Sequence, residues 1–399
     1  MSKEYTSLGL MSGTSGDGVD CSIIKSDGKN KYHQIVDKYY EYDLEIYKEI
    51  HDLKDQINNS IDLKRLKKEI DIIEKKITIF HAKAVNDLIK DHQIDLVGFH
   101  GQTIFHNVKE KISFQIGNAE LLSQLVKKNV IYNFRQNDLD NGGQGAPLVP
   151  IFHKLLKDKF KFVLPVIILN LGGIANVTII DQDDHISSYD IGPGNCLIDQ
   201  WIRSNTKNTF DKNGATAESG QVNKLILDQA LENFQEVSKP KSFDIKDFDL
   251  SFVRGLSLSD GAATLTEYTS EFLSKHLINI FGDQKKNIIL TGGGRKNKFL
   301  IKKIENKINT SIELIDDKGI YFLCGGGRKN KKLIEDINNH LNDKEIKLEN
   351  IDEYGFDGDF IESQTFAYLA IRSFLELPIS FPDTTGCLKP CTGGKIIKI

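Results

Sequence analysis

A chain of 399 residues is longer than one hydrophobic core usually organises, so two domains, or three, are the starting expectation. Its 52 basic and 56 acidic residues nearly cancel, which argues against nucleic acid or an anionic membrane as partner and leaves any anionic ligand to be held by local groups. The opening MSKEYTS lacks an apolar leader, the apolar run from Phe162 to Leu169 is broken by Pro165, and the cysteines (Cys21, Cys196, Cys324, Cys387, Cys391) form no C-x-x-C pair, so a cytoplasmic protein with reduced thiols is expected.

Residues 8–24, LGLMSGTSGDGVDCSII, read as two apolar strands joined by a turn of small and acidic residues. Ser12, Gly13, Thr14, Ser15, Gly16 and Gly18 keep side chains out of the way, so a polyphosphate can lie against backbone N–H groups. Asp17 and Asp20 beside phosphate imply a divalent cation or its water shell, hence a Mg-nucleotide, with Asp17 holding the Mg2+ through water. An ordinary glycine-rich hairpin is the alternative. A third strand follows over Tyr32 to Tyr42, and residues 44–91 are predicted helical with a break near Asn58 to Ser60. There Leu66, Ile70, Ile73, Ile77, Phe80 and Val85 form one stripe opposite lysines and glutamates, the pattern of a helix lying on a sheet.

A strand over Asp95 to Phe99 is predicted to deliver His100, Gly101, Gln102 and Thr103 at its carboxyl end, a common place for ligand groups, although a lone histidine there is more often structural than catalytic. Another strand (Ile112 to Gly117), a helix (Ala119 to Lys127) and a strand ending before Arg135 lead to DLDNGGQGAPLVP, a loop that either brings backbone close to a ligand or crosses between domains. From Val163 the opening design returns in VLPVIILNLGGIANVTII, strand, small-residue turn (Asn170 to Asn176), strand, which hints at an internal duplication. A short strand is expected to end at Asp190 before the IGPGN turn, a helix carries Leu197, Ile198 and Trp201 inward, and a capped helix begins near Ser257. The strand Asn287 to Thr291 then runs into Gly292, Gly293 and Gly294.

Taken in order, LMSGTSGDGVD, FHGQTIFH, QIGNAELL, FRQNDLDNGGQGAPLVPIFH, LNLGGIANVTII, YDIGPGNCLIDQW, FDKNGATAESGQV, DGAATLTEYT, GGGRKN, ESQTFAYLA and TTGCLKP resemble the anhydro-N-acetylmuramic acid kinases of the actin, sugar kinase and Hsp70 superfamily. The resemblance implies an α/β fold of two actin-like (ribonuclease H-like) domains with mixed sheets around an ATP cleft. The N-terminal domain is expected over 1–162 with about 376–399, the C-terminal one over 163–375. It implies ATP and Mg2+ as cofactors and an anhydro amino sugar as substrate, whose internal ring is opened with water while its 6-oxygen is phosphorylated. It leaves room for a homodimer.

By the same resemblance Asp190 is the general base, and Glu362 an acid near the site, or else a first-turn glutamate favoured by the helix dipole. The ATP phosphates fall to Gly13 through Asp20, including Val19, and to Gly172 and Gly173. The adenosine turn is Gly325, Gly326 and Gly327, or alternatively Gly292, Gly293 and Gly294. His100, Gln102, Thr103, Arg135 and Asp138 are the sugar-side candidates; Arg135 suits a carboxylate but is equally a partner for Asp138. The sequence departs from the family pattern at Asn133, in QIGNAELL and in PKSFDIKDF, which opens the alternative of a kinase for another amino sugar; a non-catalytic actin-like nucleotide clamp is the rival from another class. GGGRKNK occurs twice, 33 residues apart, in tandem units 288–319 and 320–350. One adenine cannot use both, so one strand is expected at the sheet edge or beyond it, and the second copy is slightly favoured for the nucleotide because a complete strand and helix follow it.

Overall fold

The computed structural model describes residues 2–13, 15–233, 243, 247–281, 287–291, 293–311, 319–323, 346–350 and 357–399. The chain divides into two compact units, Met1–Lys161 with Phe360–Ile399, and Phe162–Asp359. The return into the first unit therefore comes at Phe360 rather than near 376. The reason is the helix Ile361–Phe374, in which every residue from Ser363 to Ser373 is buried. A helix buried on all sides is a core element, its Ser363, Gln364 and Arg372 held by hydrogen bonds, and this one lies on the sheet of the first unit.

That sheet is built from β1 (Tyr5–Ser12), β2 (Gly18–Ser26), β3 (Tyr32–Glu41), β4 (Leu96–Asn107), β5 (Ile112–Ile116) and β6 (Asn129–Tyr132), closed by the C-terminal strand Lys395–Ile397. From β3 the order runs β3-β2-β1-β4-β6 and then the C-terminal strand, with β5 paired to the outer part of β4. The β1–β2–β3 meander is antiparallel, whereas β4 joins β1 in parallel, Leu8 beside Val97 and Leu10 beside Phe99. Gly9 and Gly98 stand side by side at the centre because the 361–374 helix rests on them: a Cβ on Gly9 would lie 1.9 Å from Ser363 O, and one on Gly98 2.3 Å from Phe366 O. On the other face α1 (Leu44–Gln56), α2 (Ser60–Arg65) and α3 (Lys67–Leu88) follow the predicted helical region, with Ile70, Ile73, Ile77 and Val85 inward. Phe80 is only half-buried, and His81, one turn after Ile77, takes a core position.

β4 does not stop at Phe99. It continues through His100 to Asn107 by leaving β1 at a bulge and pairing with β5, so the His100–Thr103 segment lies within a strand and not at its end. A short helix, α4 (Ala119–Val126), precedes β6, the loop after that strand contains α5 (Gln136–Asp140), and α6 (Pro150–Phe160) ends the segment.

The second unit repeats the plan. Its strands β7 (Val166–Leu171), β8 (Ile174–Ile180), β9 (Ile186–Pro193), β10 (Asn287–Thr291), β11 (Gly319–Leu323) and β12 (Ile346–Asn350) run in the order β9-β8-β7-β10-β11-β12. Again the first three are antiparallel, and β10 joins β7 in parallel, Ile289 beside Ile168. The repeat foreseen from the two glycine-rich hairpins is thus present as a repeated sheet topology. Its helices α7 (Cys196–Asn205), α8 (Ala215–Glu218), α9 (Lys224–Asn233), α10 (Leu258–Phe281) and α11 (Lys298–Ser311) enclose a core of Leu169, Val177, Trp201, Leu265, Phe272 and Leu300 among others. Both tandem strands enter this sheet, and the expectation of one at the edge is wrong. β10 lies between β7 and β11, β11 between β10 and β12, and the edge belongs to β12. A parallel strand is satisfied only when both its ladders are paired, and β12 supplies the outer ladder for β11.

Candidate active site

The first hairpin folds as a turn closed by Gly16 N–H on Gly13 O (3.1 Å), with Ser15 Oγ donating to Asp17 Oδ1 at 2.6 Å. Asp17 and Asp20 are half-buried beside it, so oxygen ligands for a hydrated divalent ion are present. Val19 is fully buried in the sheet core, which leaves only its backbone for a ligand. Thr14 lies outside the described residues.

Of the sugar-side candidates, the structure gathers His100, Arg135 and Asp138 into one polar cluster and turns Gln102 elsewhere. His100 donates from Nδ1 to Gly101 O (2.8 Å) and accepts at Nε2 from Arg135 Nε (3.1 Å), with the Phe366 ring 4.5 Å away. Burial, reinforced by the Arg135 charge, holds this imidazole well below its usual pKa, so it is neutral and serves to orient the guanidinium. Arg135 also donates from Nη1 to Gly145 O at 2.8 Å. Asp138 is buried, accepting from Gly145 N–H at Oδ2 (2.7 Å) and from Thr385 Oγ at Oδ1 (2.6 Å). It therefore braces the glycine-rich loop against the C-terminal segment instead of presenting itself to sugar. Gln102 is likewise fully buried; its Nε2 donates to Gly13 O (2.9 Å) and its Oε1 meets Ser12 Oγ (2.6 Å), which makes it a brace of the hairpin turn and corrects its assignment as a sugar ligand. Thr103 stays half-buried and accepts from Gln115 Nε2 at 3.2 Å. Glu362 occupies the first turn of the 361–374 helix, whose neighbouring Ser363 and Gln364 are fixed by Ser22 (2.6 Å) and by Asp37 (2.9 Å).

In the second unit the Gly172–Gly173 turn is fastened by the backbone that follows Asp190. Asn195 N–H reaches Gly172 O at 2.9 Å, while Gly194 N–H (2.9 Å) and Cys196 N–H (3.1 Å) reach Gly173 O. Asp190 lies inside β9, opposite Asn176 at a bulge, three residues before the strand's end at Pro193 rather than at its end as expected. Its Oδ2 accepts from Phe243 N–H at 2.8 Å, which fixes the carboxylate's orientation. The first GGGRKNK turn follows β10 directly. Gly294 must be glycine because a Cβ would meet Leu171 O at 2.6 Å and Asn195 Nδ2 at 2.5 Å, so this turn abuts the second hairpin. Thr291 Oγ donates to Asn170 Oδ1 (3.2 Å) and ties the same two strands together. Gly292 and the second copy, Gly325, Gly326 and Gly327, lie outside the described residues.

Among the described residues no group of three or more His, Cys, Asp or Glu side chains could hold a metal by itself, and no helix is long and apolar enough to cross a membrane. Sequence reasoning missed Tyr42, His51 and His81, and placed Ser12 in the turn without a role for its hydroxyl; all four contact the first turn or its braces, and only the place of His81 on the stripe of Ile77 was a signal, which pointed to the core.

The family model described as anhydro-N-acetylmuramic acid kinase matches residues 5–321 and 312–398, two stretches that overlap at the junction of the tandem units. An anhydro-N-acetylmuramic acid kinase of Pelagibacter ubique (strain HTCC1062) is 49% identical over 407 aligned residues, covering 100% of both chains. Those of Brucella suis (strain ATCC 23445 / NCTC 10510) and Zymomonas mobilis subsp. mobilis are each 34% identical, covering 97% and 98% of both chains respectively.

Proposed function

The chain belongs to the anhydro-N-acetylmuramic acid kinase family, and we propose that it opens the 1,6-anhydro ring of anhydro-N-acetylmuramic acid with water while phosphorylating the freed 6-oxygen from ATP. The products are N-acetylmuramic acid 6-phosphate and ADP, a step of peptidoglycan recycling that this reading assigns to the cytoplasm. Because O6 is tied to C1 in this substrate, there is no hydroxyl for a base to deprotonate. Asp190 therefore takes a proton from water as the water oxygen bonds to C1 and the C1–O6 bond breaks. The electron pair left on O6 attacks the γ-phosphorus, and the bond to the β-phosphate oxygen breaks. The observation that carries this reading is the Asp190 carboxylate, held by Phe243 N–H on the strand that leads into the loop fastening the Gly172–Gly173 turn. Metal-bound ATP would have its ion held through water by Asp17, and the ion would offset charge on the phosphates. Backbone N–H groups of the first hairpin turn suit the phosphates, and the Gly172–Gly173 turn offers the same chemistry in its own unit. For the adenosine we favour Gly293 and Gly294, since their turn abuts β7. Arg135, oriented by His100 and Gly145 O, suits the sugar's lactyl carboxylate, and Thr103 follows His100 by three positions in β4.

The test is ADP release from Mg-ATP with the anhydro sugar, glucosamine and N-acetylglucosamine in parallel, with the product identified by mass. Turnover on the anhydro sugar alone is expected. Equal release without sugar, or faster release on either free sugar, overturns the proposal.

A further inference from the structure

A turn that grips phosphate through its backbone must aim amide N–H groups at the anion and keep its carbonyl oxygens, which repel it, facing elsewhere. In the first hairpin four turn carbonyls are taken up by donors from the protein side. Gly13 O accepts from Gln102 Nε2 at 2.9 Å, Ser15 O from His51 Nε2 at 2.9 Å, Asp17 O from Tyr42 N–H at 2.9 Å, and Gly18 O from Ser12 Oγ at 2.8 Å.

A buried side-chain relay stands behind the Ser12 contact. Tyr42 O–H reaches Ser12 Oγ at 3.1 Å, and His81 Nε2 reaches the Tyr42 oxygen at 2.8 Å. Counting protons fixes the direction. The Gly18 carbonyl and Gln102 Oε1, 2.8 and 2.6 Å from Ser12 Oγ, can only accept, so the single Ser12 hydrogen is shared between them; the Ser12 oxygen then receives the Tyr42 hydrogen, and Tyr42 receives the hydrogen on His81 Nε2. That tautomer leaves His81 Nδ1 bare, and among the described residues this atom is buried without a partner. Burial pushes the His81 pKa down to about 3, so the ring is neutral at physiological pH and the relay keeps its direction.

We propose that Tyr42, His81 and His51 are positioning residues for nucleotide binding: they hold the turn's carbonyls inward and so leave its N–H groups for the phosphates. This rests on the reading of the turn as a nucleotide phosphate site. The second hairpin supports the logic independently, because the carbonyls of Gly172 and Gly173 are tied back there too, by the amides of Gly194, Asn195 and Cys196. Backbone alone does in one unit what three side chains and one amide do in the other.

Calorimetric titration of Mg-ATP into the full-length protein, without sugar, tests the idea on wild type, Tyr42→Phe, His51→Ala and His51→Gln, alongside KM for both substrates. Loss of one such hydrogen bond is expected to raise Kd and KM for Mg-ATP about three- to tenfold. KM for the sugar should stay within about twofold. His51→Gln, which keeps a donor of similar reach, should restore most of the affinity. His51 is half-buried, so its removal reports on the turn even if Tyr42→Phe destabilises the fold. Mg-ATP binding by His51→Ala at wild-type strength, or a rise in sugar KM in step with that for ATP, overturns the proposal. Failure of the wild type to bind Mg-ATP would instead sink the nucleotide reading on which it rests.

Discussion

Replacing Asp190 by asparagine separates basicity from geometry. The amide oxygen of Asn can still accept from Phe243 N–H, the bond that spans 2.8 Å in the native protein. What the loop loses is the charge-assisted part of one half-buried hydrogen bond, about 1 kcal/mol, so the melting temperature should move by only a few degrees. Catalysis loses the step proposed for Asp190, taking the proton from attacking water. General base removal costs about a hundred- to ten-thousandfold, or roughly 3–5 kcal/mol in the barrier. Asp190→Ala should cost as much in kcat and, in addition, leave Phe243 N–H without this acceptor, lowering stability by a further 1–3 kcal/mol or so. The assay is coupled ADP release at saturating Mg-ATP and anhydro sugar, with nucleotide affinity measured separately. If Asp190→Asn turns over within a few fold of wild type, Asp190 is not the base. If it loses ATP affinity in proportion to rate, the residue acts in binding and the mechanism above is wrong.

Among the described residues, its chain neighbours aside, Gly293 has no atom within 4 Å of where a Cβ would stand, so Gly293→Val should fold normally and weaken Mg-ATP binding at least about tenfold if the first glycine turn holds adenosine; unaltered affinity by calorimetry would assign that role elsewhere. Gly9→Ala places a methyl 1.9 Å from Ser363 O and should lower the melting temperature sharply or leave the chain insoluble, whereas a melting curve like wild type would mean that the 361–374 helix does not rest on β1. Glu305 has a carboxylate oxygen buried without a partner among the described residues, and burial pushes its pKa up to about 8. The native state thus holds that proton more tightly than the unfolded chain, so this group's contribution is intact below about pH 4.5 and is lost as pH rises toward 8. Glu305→Gln should accordingly raise the melting temperature at pH 8 and change it little at pH 4.5, and equal effects at the two pH values would refute the assignment.

The sequence by itself was enough for the two hairpins, because a turn of Ser, Gly and Asp between apolar strands is a local pattern. It was enough also for the amphipathic α3, for the ordered run of motifs that names the family, and for the tandem copies. It put Asp190 on the right strand, although the strand runs on to Pro193, and it misplaced the end of β4, since a strand that changes partner at a bulge leaves no break in its apolar pattern. Only tertiary structure decided which polar residues are engaged in holding the fold. Gln102 lies 89 positions from Gly13, and Asp138 lies 247 from Thr385; nothing in the local sequence around either residue reveals that its polar atoms are already engaged. Tyr42, His51 and His81 escaped notice for the same reason: the carbonyls they serve, directly or through Ser12, belong to a turn far away in sequence. The boundary at Phe360 and the interior positions of β10 and β11 were decided by pairing and burial, which depend on where distant strands leave an unsatisfied edge or a flat bed of glycine backbone.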